Sequence, residues 1–186
     1  MENLKQVTTR VTLPNGRVVR EENGSVVELG QTFGFVIDNT PDLQVGKVEE
    51  KILVASQDVA NDLDLITQYG ITHILNVANF PSKQWPELQY LDVPILDLPE
   101  EQLSSYFPVC FKFIDNALET GCILVHCNAG ISRSVSIVVA YLMSRHQLNL
   151  DEALSRVKAA RPKAQPNKGF LEQLKLYEKT VASSTT

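Results

Sequence analysis

The fold is decided by residues 122–143, which read CILVHCNAGISRSVSIVVAYLM. Cys122–His126 is an apolar run of strand length, which is typical of a strand buried on both faces of a parallel sheet. Val135–Met143 is apolar nearly all round, as a helix inside a core should be. Residues 127–134 lie between them, so the pattern predicts a strand, a tight loop and a helix.

The predicted loop is suited to binding a phosphate group. A helix N-terminus presents free backbone N–H groups and the positive end of the helix dipole. Gly130 permits a turn that a side chain would resist, and successive loop amides can then point inward as an anion nest. The predicted substrate-binding residues are therefore Asn128, Ala129, Gly130, Ile131 and Ser132.

Cys127 and Arg133 are the candidate reactive residues. A helix N-terminus and an adjacent cation stabilise a thiolate, so we expect Cys127 to be a nucleophile at neutral pH. Arg133 is planar and permanently charged, and it can hold two phosphoryl oxygens at once. A lone cysteine is usually a small buried hydrophobe. However, the pattern His-Cys-x-x-Gly-x-x-Arg-Ser should arise by chance in fewer than roughly one chain in ten thousand, which favours the functional interpretation.

Two neighbouring residues have two interpretations each. His126 could be a general base, but the cysteine needs none if the loop already stabilises its thiolate, so an orienting hydrogen bond is favoured. Ser134 could cap the following helix. Alternatively, its hydroxyl could hydrogen-bond the thiolate and ease its departure from phosphorus.

Residues 126–134 match the signature of the cysteine-dependent protein phosphatases, and the chain resembles their dual-specificity branch, in particular its small atypical members. Further matches are Ala140-Tyr141-Leu142-Met143, Arg161-Pro162 and Pro166-Asn167-Lys168-Gly169-Phe170-Leu171-Glu172-Gln173-Leu174. The resemblance runs from about residue 42 to residue 176, and no loop position departs from it. It implies hydrolysis of phosphotyrosine, phosphoserine and phosphothreonine in proteins through a cysteinyl-phosphate, without a cofactor, and a supporting role for Asn167.

The fold implied by the resemblance is the α/β fold of the protein tyrosine phosphatases. It has a central, mixed but mostly parallel sheet of about five strands, with helices on both faces. The residues agree, because short apolar runs at Ile52–Ala55 and His73–Val77 alternate with helical patterns. Residues 58–69 indicate one acidic helix, and Asn149–Glu152 indicates a helix start with a capping box.

Three segments are predicted along the chain. Residues 1–44 form an N-terminal extension, in which residues 7–13 and 17–20 flank an Asn-Gly turn as a β-hairpin. Residues 21–42 show no clear period. Residues 45–180 form the catalytic domain, which ends in a helix from about residue 167. Residues 181–186 form a flexible tail.

A cysteine phosphatase also needs a proton donor for the leaving oxygen. The candidates are Glu87, Asp92, Asp97, Glu100 and Glu101. Asp97 is favoured because it lies just past the strand-like residues 89–95, before a proline, on a loop expected to be mobile. Its position thirty residues before Cys127 also fits the spacing that the resemblance implies. The alternative is a turn-forming aspartate.

A second candidate for the acid loop is the tripeptide Trp85-Pro86-Glu87. It resembles the acid loop of the larger tyrosine-specific phosphatases. However, its acid is a glutamate, and its distance along the chain from Cys127 is too long. We therefore do not expect this tripeptide to supply the proton.

Composition limits the other classes of site. The three histidines, His73, His126 and His146, are dispersed, so no metal site is predicted. The three cysteines do not form a disulfide framework, since Cys122 and Cys127 should lie about 16 Å apart along one strand at ~3.3 Å per residue. A reducing, intracellular compartment is therefore expected, in the cytoplasm and extending to the nucleus. No signal peptide or membrane-spanning run is evident.

The net charge of −5 is unevenly distributed. Residues 1–120 carry 8 basic against 18 acidic side chains, and residues 121–186 carry 9 against 4. The positive part contains the loop, so an anionic substrate would be attracted there. Nucleic acid is not predicted as a partner, because the basic residues are scattered on predicted helices.

The expected partners are phosphorylated proteins, including members of mitogen-activated protein kinase pathways. Asn128, Ala129, Ile131 and Ser132 are uncharged, which favours a singly phosphorylated side chain over a phosphoinositide. The alternative is a docking or scaffold module for a kinase pathway with secondary phosphatase activity, which residues 1–44 could serve. An arsenate reductase or a nucleic-acid 5′-phosphatase would need resolving cysteines or a denser basic surface.

Overall fold

The structure is a computed structural model that describes residues 9–12, 17–22, 25–31, 40–78 and 84–183. The chain divides into two units, residues 1–40 and 41–186. This boundary lies before the predicted one at residue 44. The difference arises because Asp42 and Gln44 hydrogen-bond to Arg161 of the second unit.

The described part of the first unit is a three-stranded antiparallel sheet. Its strands are β1 (Thr9–Thr12), β2 (Arg17–Glu22) and β3 (Ser25–Gln31), in that order. β1 and β2 pair where the sequence predicts a hairpin, and the turn at residues 13–16 lies outside the described residues. β3 falls in a segment with no clear sequence period. The pairing of β2 with β3 contains a bulge, and a bulge breaks the two-residue alternation by which strands are recognised.

The second unit is built on a five-stranded sheet. Its strands are β4 (Gly46–Glu49), β5 (Ile52–Ala55), β6 (Ile71–Asn76), β7 (Gln89–Asp92) and β8 (Cys122–His126). They lie in the order β4-β5-β8-β6-β7, and only β4 runs antiparallel to its neighbour. The mixed, mostly parallel sheet of about five strands is therefore confirmed.

The second unit contains six α-helices among the described residues. They are α1 (Gln57–Ala60), α2 (Leu63–Gln68), α3 (Phe107–Thr120), α4 (Arg133–His146), α5 (Leu150–Ala160) and α6 (Lys168–Ser183). The single acidic helix at residues 58–69 is wrong, because Asp62 accepts a hydrogen bond from the Leu65 amide and starts a new helix. α6 also continues through residues 181–183, which the sequence places in a flexible tail. The capping box at Asn149 and Glu152 is confirmed.

Helices cover both faces of the five-stranded sheet. Ile52 and Val54 of β5 pack in the core with α3, α4, α5 and α6, whereas Leu53 and Ala55 pack against α1 and α2. Side chains alternate between the faces of a strand, so a strand covered on both sides must be apolar throughout. β8 is central and entirely buried, which accounts for its apolar sequence.

The carboxyl ends of the parallel strands meet at one edge of the sheet. β8 ends at His126 and continues into Cys127, and β7 ends at Asp92 and continues into residues 93–98. Ligand sites of α/β sheets lie outside the carboxyl ends of the strands. This topology brings Asp97 towards Cys127, although thirty residues separate them in the sequence.

Candidate active site

The loop between β8 and α4 is shaped by Gly130. Its φ of 63° lies in the left-handed region, and a Cβ at this position would lie 2.3 Å from the carbonyl oxygen of Ala55. Glycine allows both the turn and this close approach to β5. The strand, tight loop and helix predicted from residues 122–143 are present, and the helix begins at Arg133.

Four consecutive carbonyl groups of the loop face away from it. Their donors are the Gln57 amide to Asn128 (3.0 Å), Arg161 Nη2 to Ala129 (2.7 Å), Arg161 Nε to Gly130 (2.6 Å) and the Gln165 amide to Ile131 (2.8 Å). In a trans peptide the N–H points opposite to the C=O. The N–H groups of residues 129–132 are therefore turned to the inner side of the loop, as an anion nest requires.

Cys127 follows the last residue of β8 and is the first residue of the loop that leads to α4. It is only 2% exposed, and its Sγ lies 3.4 Å from Ser134 Oγ. Ser132, not Ser134, occupies the capping position of α4, and its side chain makes no capping hydrogen bond. The capping interpretation of Ser134 is therefore wrong, and its hydroxyl is placed against the sulfur.

Arg133 is the first residue of α4 and is 8% exposed. Its Nη1 donates to the Ile95 carbonyl at 3.2 Å. Its Nε is buried and has no hydrogen-bond partner among the described residues. Buried donors are seldom left unpaired in proteins. The guanidinium is therefore suited to a ligand that brings its own acceptor, such as a phosphoryl oxygen.

Asp97 lies at the rim of the site. Its Oδ1 accepts hydrogen bonds from Ser132 Oγ at 2.7 Å and from Asn167 Nδ2 at 2.8 Å. Its Oδ2 lies 3.7 Å from Arg133 Nε, and the side chain is 37% exposed. A carboxyl held here can reach both solvent and a group bound in the loop. Asn167 also donates its backbone N–H to Ser132 Oγ at 3.1 Å, so it supports both residues.

The competing acids have other surroundings. Asp92 ends β7 and accepts from Asn76 Nδ2 at 2.8 Å. Glu101 accepts from the Tyr106 hydroxyl at 2.6 Å, and this hydrogen bond raises the pKa of Tyr106. Trp85, which precedes Glu87 by two residues, donates its ring N–H to the Ala60 carbonyl at 3.0 Å. Within the described residues, none of these contacts joins the phosphate-binding loop.

His126 is fully enclosed beside the loop. Burial lowers its pKa to about 4, so the ring is neutral at pH 7 and cannot supply a positive charge. Nδ1 lies 3.3 Å from the Cys127 carbonyl oxygen, and Nε2 is buried without a hydrogen-bond partner among the described residues. A neutral ring with Nδ1–H donating to this carbonyl fits an orienting role.

The function of Arg161 is evident only from the structure. This residue is fully buried, and besides the two loop carbonyls it donates to the Gln44 carbonyl at 2.6 Å and to Asp42 Oδ2 at 3.1 Å. A buried charge needs such partners to be tolerated. The signals in the sequence are the Arg-Pro pair after α5 and Gly46, where a Cβ would lie 2.8 Å from Arg161 Cβ.

Asp42 completes this arrangement at the start of the second unit. Partial burial raises the pKa of Asp42, but the hydrogen bond from Lys163 and the charge of Arg161 outweigh it, so its pKa lies below the usual value. The carboxylate is therefore ionised at neutral pH and balances the buried guanidinium. Asp42 and Arg161 together tie residues 42–44 to the phosphate-binding loop.

The other reactive groups of the described chain lie apart from this site. Cys110 and Cys122 are unpaired and buried, and burial raises the pKa of Cys110 to about 12. No cluster of three or more His, Cys, Asp or Glu side chains suited to a metal ion occurs among the described residues. None of the described helices is both long and apolar enough to cross a membrane.

Comparison with known proteins agrees with this geometry. The family model of the dual specificity phosphatase catalytic domain matches residues 52–180. The chain belongs to the dual specificity phosphatase family. The resemblance recognised from the loop is thereby confirmed, and the chain is a protein phosphatase, which is a hydrolase.

Relatives of known sequence cover most of the chain. Dual specificity protein phosphatase 19 of Mus musculus is 46% identical over an alignment of 187 residues. The alignment covers 95% of this chain and 85% of that protein. Dual specificity protein phosphatase 1 of Arabidopsis thaliana is 41% identical over 161 residues, 86% of this chain and 78% of that protein.

A solved structure of a dual specificity phosphatase shares the fold. The crystal structure of a mouse putative dual specificity phosphatase complexed with zinc tungstate is 33% identical. It has a TM-score of 0.71 and covers 83% of this chain and 97% of that chain. The protein-tyrosine-phosphatase-like fold expected from the sequence is confirmed by this likeness.

Proposed function

We propose that this phosphatase hydrolyses phosphotyrosine, phosphoserine and phosphothreonine in proteins through a cysteinyl-phosphate intermediate. The observation that carries the proposal is that the loop between β8 and α4 and the first residue of α4 carry three functional groups. These are the Cys127 sulfur, the inward-turned amides of residues 129–132 and the Arg133 guanidinium. Together they supply a nucleophile and a preformed oxyanion site.

In the first step the Cys127 thiolate attacks phosphorus in line with the departing side-chain oxygen. The S–P bond forms as the P–O bond breaks, and the loop amides and Arg133 hold the equatorial oxygens. Asp97, protonated, gives its proton to the leaving oxygen. Its position beside Ser132 and Arg133 supports this role.

In the second step water releases the phosphoryl group. The Asp97 carboxylate takes a proton from the water, whose oxygen attacks phosphorus as the P–S bond breaks. Inorganic phosphate leaves and the thiolate is restored. The hydroxyl of Ser134, 3.4 Å from the sulfur, donates a hydrogen bond to the departing thiolate and stabilises its charge.

The substrate class is inferred from the loop side chains. Asn128 and Ala129 are exposed at the mouth of the loop and carry no charge. Lysines at these positions would be expected for a substrate with several phosphate groups. A singly phosphorylated side chain of a protein fits better. Membership of the dual specificity phosphatase family supports phosphotyrosine together with phosphoserine and phosphothreonine as substrates.

The proposed cellular setting is kinase signalling in the cytoplasm and nucleus. Members of mitogen-activated protein kinase pathways are the proposed partners. A panel of phosphorylated pathway proteins, assayed with a chelator present, would test the substrates. Imaging of the tagged full chain would test the location, and accumulation in another compartment would contradict it.

The nucleophile is tested with Cys127→Ser. The related mouse phosphatase is described as complexed with zinc tungstate, and we propose that tungstate, a tetrahedral oxyanion, binds this loop as phosphate does. Cys127→Ser should abolish turnover yet retain tungstate binding by calorimetry, because the loop amides and Arg133 remain. Arg133→Lys should weaken that binding, because lysine cannot hold two oxygens. Turnover surviving in Cys127→Ser would remove this sulfur from the mechanism.

The proton donor is tested with Asp97→Ala. The value of kcat/KM reports on steps up to leaving-group departure. It should fall about 10²-fold or more for phenyl phosphate. It should change little for 6,8-difluoro-4-methylumbelliferyl phosphate, whose leaving group needs no proton. An equal loss on both substrates would make Asp97 a structural residue.

A second candidate function is docking or scaffolding for a kinase pathway. It is favoured by the division of the chain, which makes residues 1–40 a unit of their own. Binding of a kinase-pathway protein by the full chain and by a chain lacking residues 1–40, with phosphatase activity measured in parallel, separates the two functions. Loss of binding with retained activity would support docking by the first unit.

A further inference from the structure

We propose that Gln173 and Gly169 of α6 are positioning residues, which hold the acid loop (residues 97–103) so that Asp97 stands beside the phosphate-binding loop before substrate binds. The proposal rests on the proposed role of Asp97 as proton donor. It assigns to α6 a part in the chemistry, although neither residue reaches the phosphate-binding loop itself.

Gln173 fastens the acid loop with its side-chain amide. Its Oε1 accepts from the Leu103 amide at 2.8 Å. Its Nε2 donates to the Glu101 carbonyl at 2.8 Å and to the Pro99 carbonyl at 3.4 Å. One side chain thus meets the backbone of the loop at three places, and all three partners are main-chain groups. The contact therefore fixes the course of the loop whatever its side chains are.

Gly169 allows α6 to approach the loop closely. A Cβ at this position would lie 2.0 Å from the Pro99 carbonyl oxygen and 2.5 Å from the Pro99 carbonyl carbon. Glycine is unfavourable within a helix, so this contact explains its presence. Gly169 and Gln173 are four residues apart and share one face of α6. That face is the surface on which the acid loop lies.

The start of α6 holds the carboxyl itself. Asn167 donates from Nδ2 to Asp97 Oδ1 at 2.8 Å and accepts from the Phe170 amide with its Oδ1 at 2.9 Å. The side-chain amide of Asn167 therefore caps α6 and also orients the Asp97 carboxyl group. Asn167, Gly169 and Gln173 form a continuous support from Asp97 to Leu103.

Hydrophobic packing does little to hold the first part of the acid loop. Leu98 is 45% exposed, and Pro99 and Glu100 are also exposed. Leu103, at the far end, is fully buried. Hydrogen bonds therefore do most to hold residues 97–101, from Asn167 and Gln173 at α6 and from Ser132 of the phosphate-binding loop. The sequence predicts a mobile loop that closes over phosphate, whereas these contacts favour an acid that is already in place.

The test compares two aryl phosphates that differ in their need for a proton. Gln173→Leu should lower kcat/KM for phenyl phosphate about 10-fold, because misplacing a general acid forfeits part of its contribution. It should change kcat/KM for 6,8-difluoro-4-methylumbelliferyl phosphate less than about twofold, since that leaving group departs unprotonated. Glu172→Leu, an exposed position on the same helix, is the matched control and should leave both values unchanged.

A steric variant and a double-mutant cycle complete the test. Gly169→Ala should show the same selective loss, because its Cβ displaces the loop without altering Gln173. In an Asp97→Ala background, Gln173→Leu should have no further selective effect. Thermal unfolding of every variant shows which of them fold.

The outcomes separate the two proposals. Equal losses on both substrates for Gln173→Leu, or no loss, would overturn the positioning role. A selective loss that persists in the Asp97→Ala background would also overturn it. If Asp97→Ala alone shows no leaving-group selectivity, the proposed acid role fails instead.

Discussion

Replacement of Arg161 by methionine tests whether the phosphate-binding loop depends on a buried guanidinium. The change leaves the Gly130 carbonyl without a donor in a buried position, and it removes the donor of the Ala129 and Gln44 carbonyls, which lie nearer solvent. Each unsatisfied buried acceptor lowers the free energy of unfolding by about 1–3 kcal/mol. An exposed carbonyl lowers it less, because water replaces the lost donor. Asp42 keeps its contact with Lys163 at 3.0 Å. The expected loss of unfolding free energy is about 3 kcal/mol.

The loss should be visible in both stability and activity. For a unit of this size, about 3 kcal/mol lowers the unfolding midpoint by about 6–12 °C. The freed carbonyls no longer fix the amides of Gly130 and Ile131, and one misplaced oxyanion donor costs about 10²–10³-fold in rate. We therefore expect kcat/KM to fall at least about 10²-fold at temperatures where the variant is folded. Arg161→Lys should be intermediate, since an ammonium keeps the charge but lacks the planar fork.

Arg156→Met is the matched control for this prediction. Arg156 lies on the same helix region as Arg161, but it is 43% exposed and pairs with Glu49 at 2.9 Å. Such an exposed ion pair contributes about 0–1 kcal/mol, so turnover should be unaffected. If Arg161→Met matched Arg156→Met in thermal unfolding and in kcat/KM, the loop would be shown to hold its shape without the guanidinium.

Three further predictions address the loop and its neighbours. Gly130→Ala should lower both the unfolding midpoint and tungstate affinity, because the new Cβ would lie 2.3 Å from the Ala55 carbonyl; wild-type affinity would show that the turn is adaptable. Ser134→Ala should lower kcat but not kcat/KM for phenyl phosphate, since the Ser134 hydroxyl assists the second step. Stopped flow should then show a burst of phenol. An equal fall of kcat and kcat/KM would show that the hydroxyl does not act in the second step. His126 has its folded pKa lowered to about 4 from 6.5, so the unfolded chain binds its proton first as pH falls. Stability should therefore drop by about 2 kcal/mol between about pH 7 and about pH 5 in urea unfolding, and His126→Gln should flatten that dependence; an unchanged slope would mean that the ring is solvated.

The sequence predicts what depends on neighbouring residues. Cys127 and Arg133 follow from their spacing within a predicted strand, tight loop and helix, and β8 follows from its apolar run. The buried α4 follows in the same way. In these segments the local pattern and the tertiary environment require the same residues, so a single sequence is enough to predict the structure.

Sequence patterns do not predict features of the structure that depend on a distant contact or on a single polar side chain. The break between α1 and α2 depends on one hydrogen bond from the Leu65 amide to Asp62, within a run that is otherwise helical in composition. The role of Arg161 depends on carbonyls 31 and 32 residues away. The acid loop is fastened by Gln173 from more than 70 positions further along the chain. Periodicity carries no information about such partners.

The wide separation of these partners along the chain has a consequence for how the enzyme folds and unfolds. Asp42 and Arg161 are 119 positions apart, and the parallel pairing of β5 with β8 also joins distant segments. Contacts of this range form late and slowly, because long stretches of chain must be ordered first. Catalytic competence should therefore emerge only after nearly the whole second unit has been synthesised. During denaturation, turnover and tertiary structure should disappear in one concerted transition.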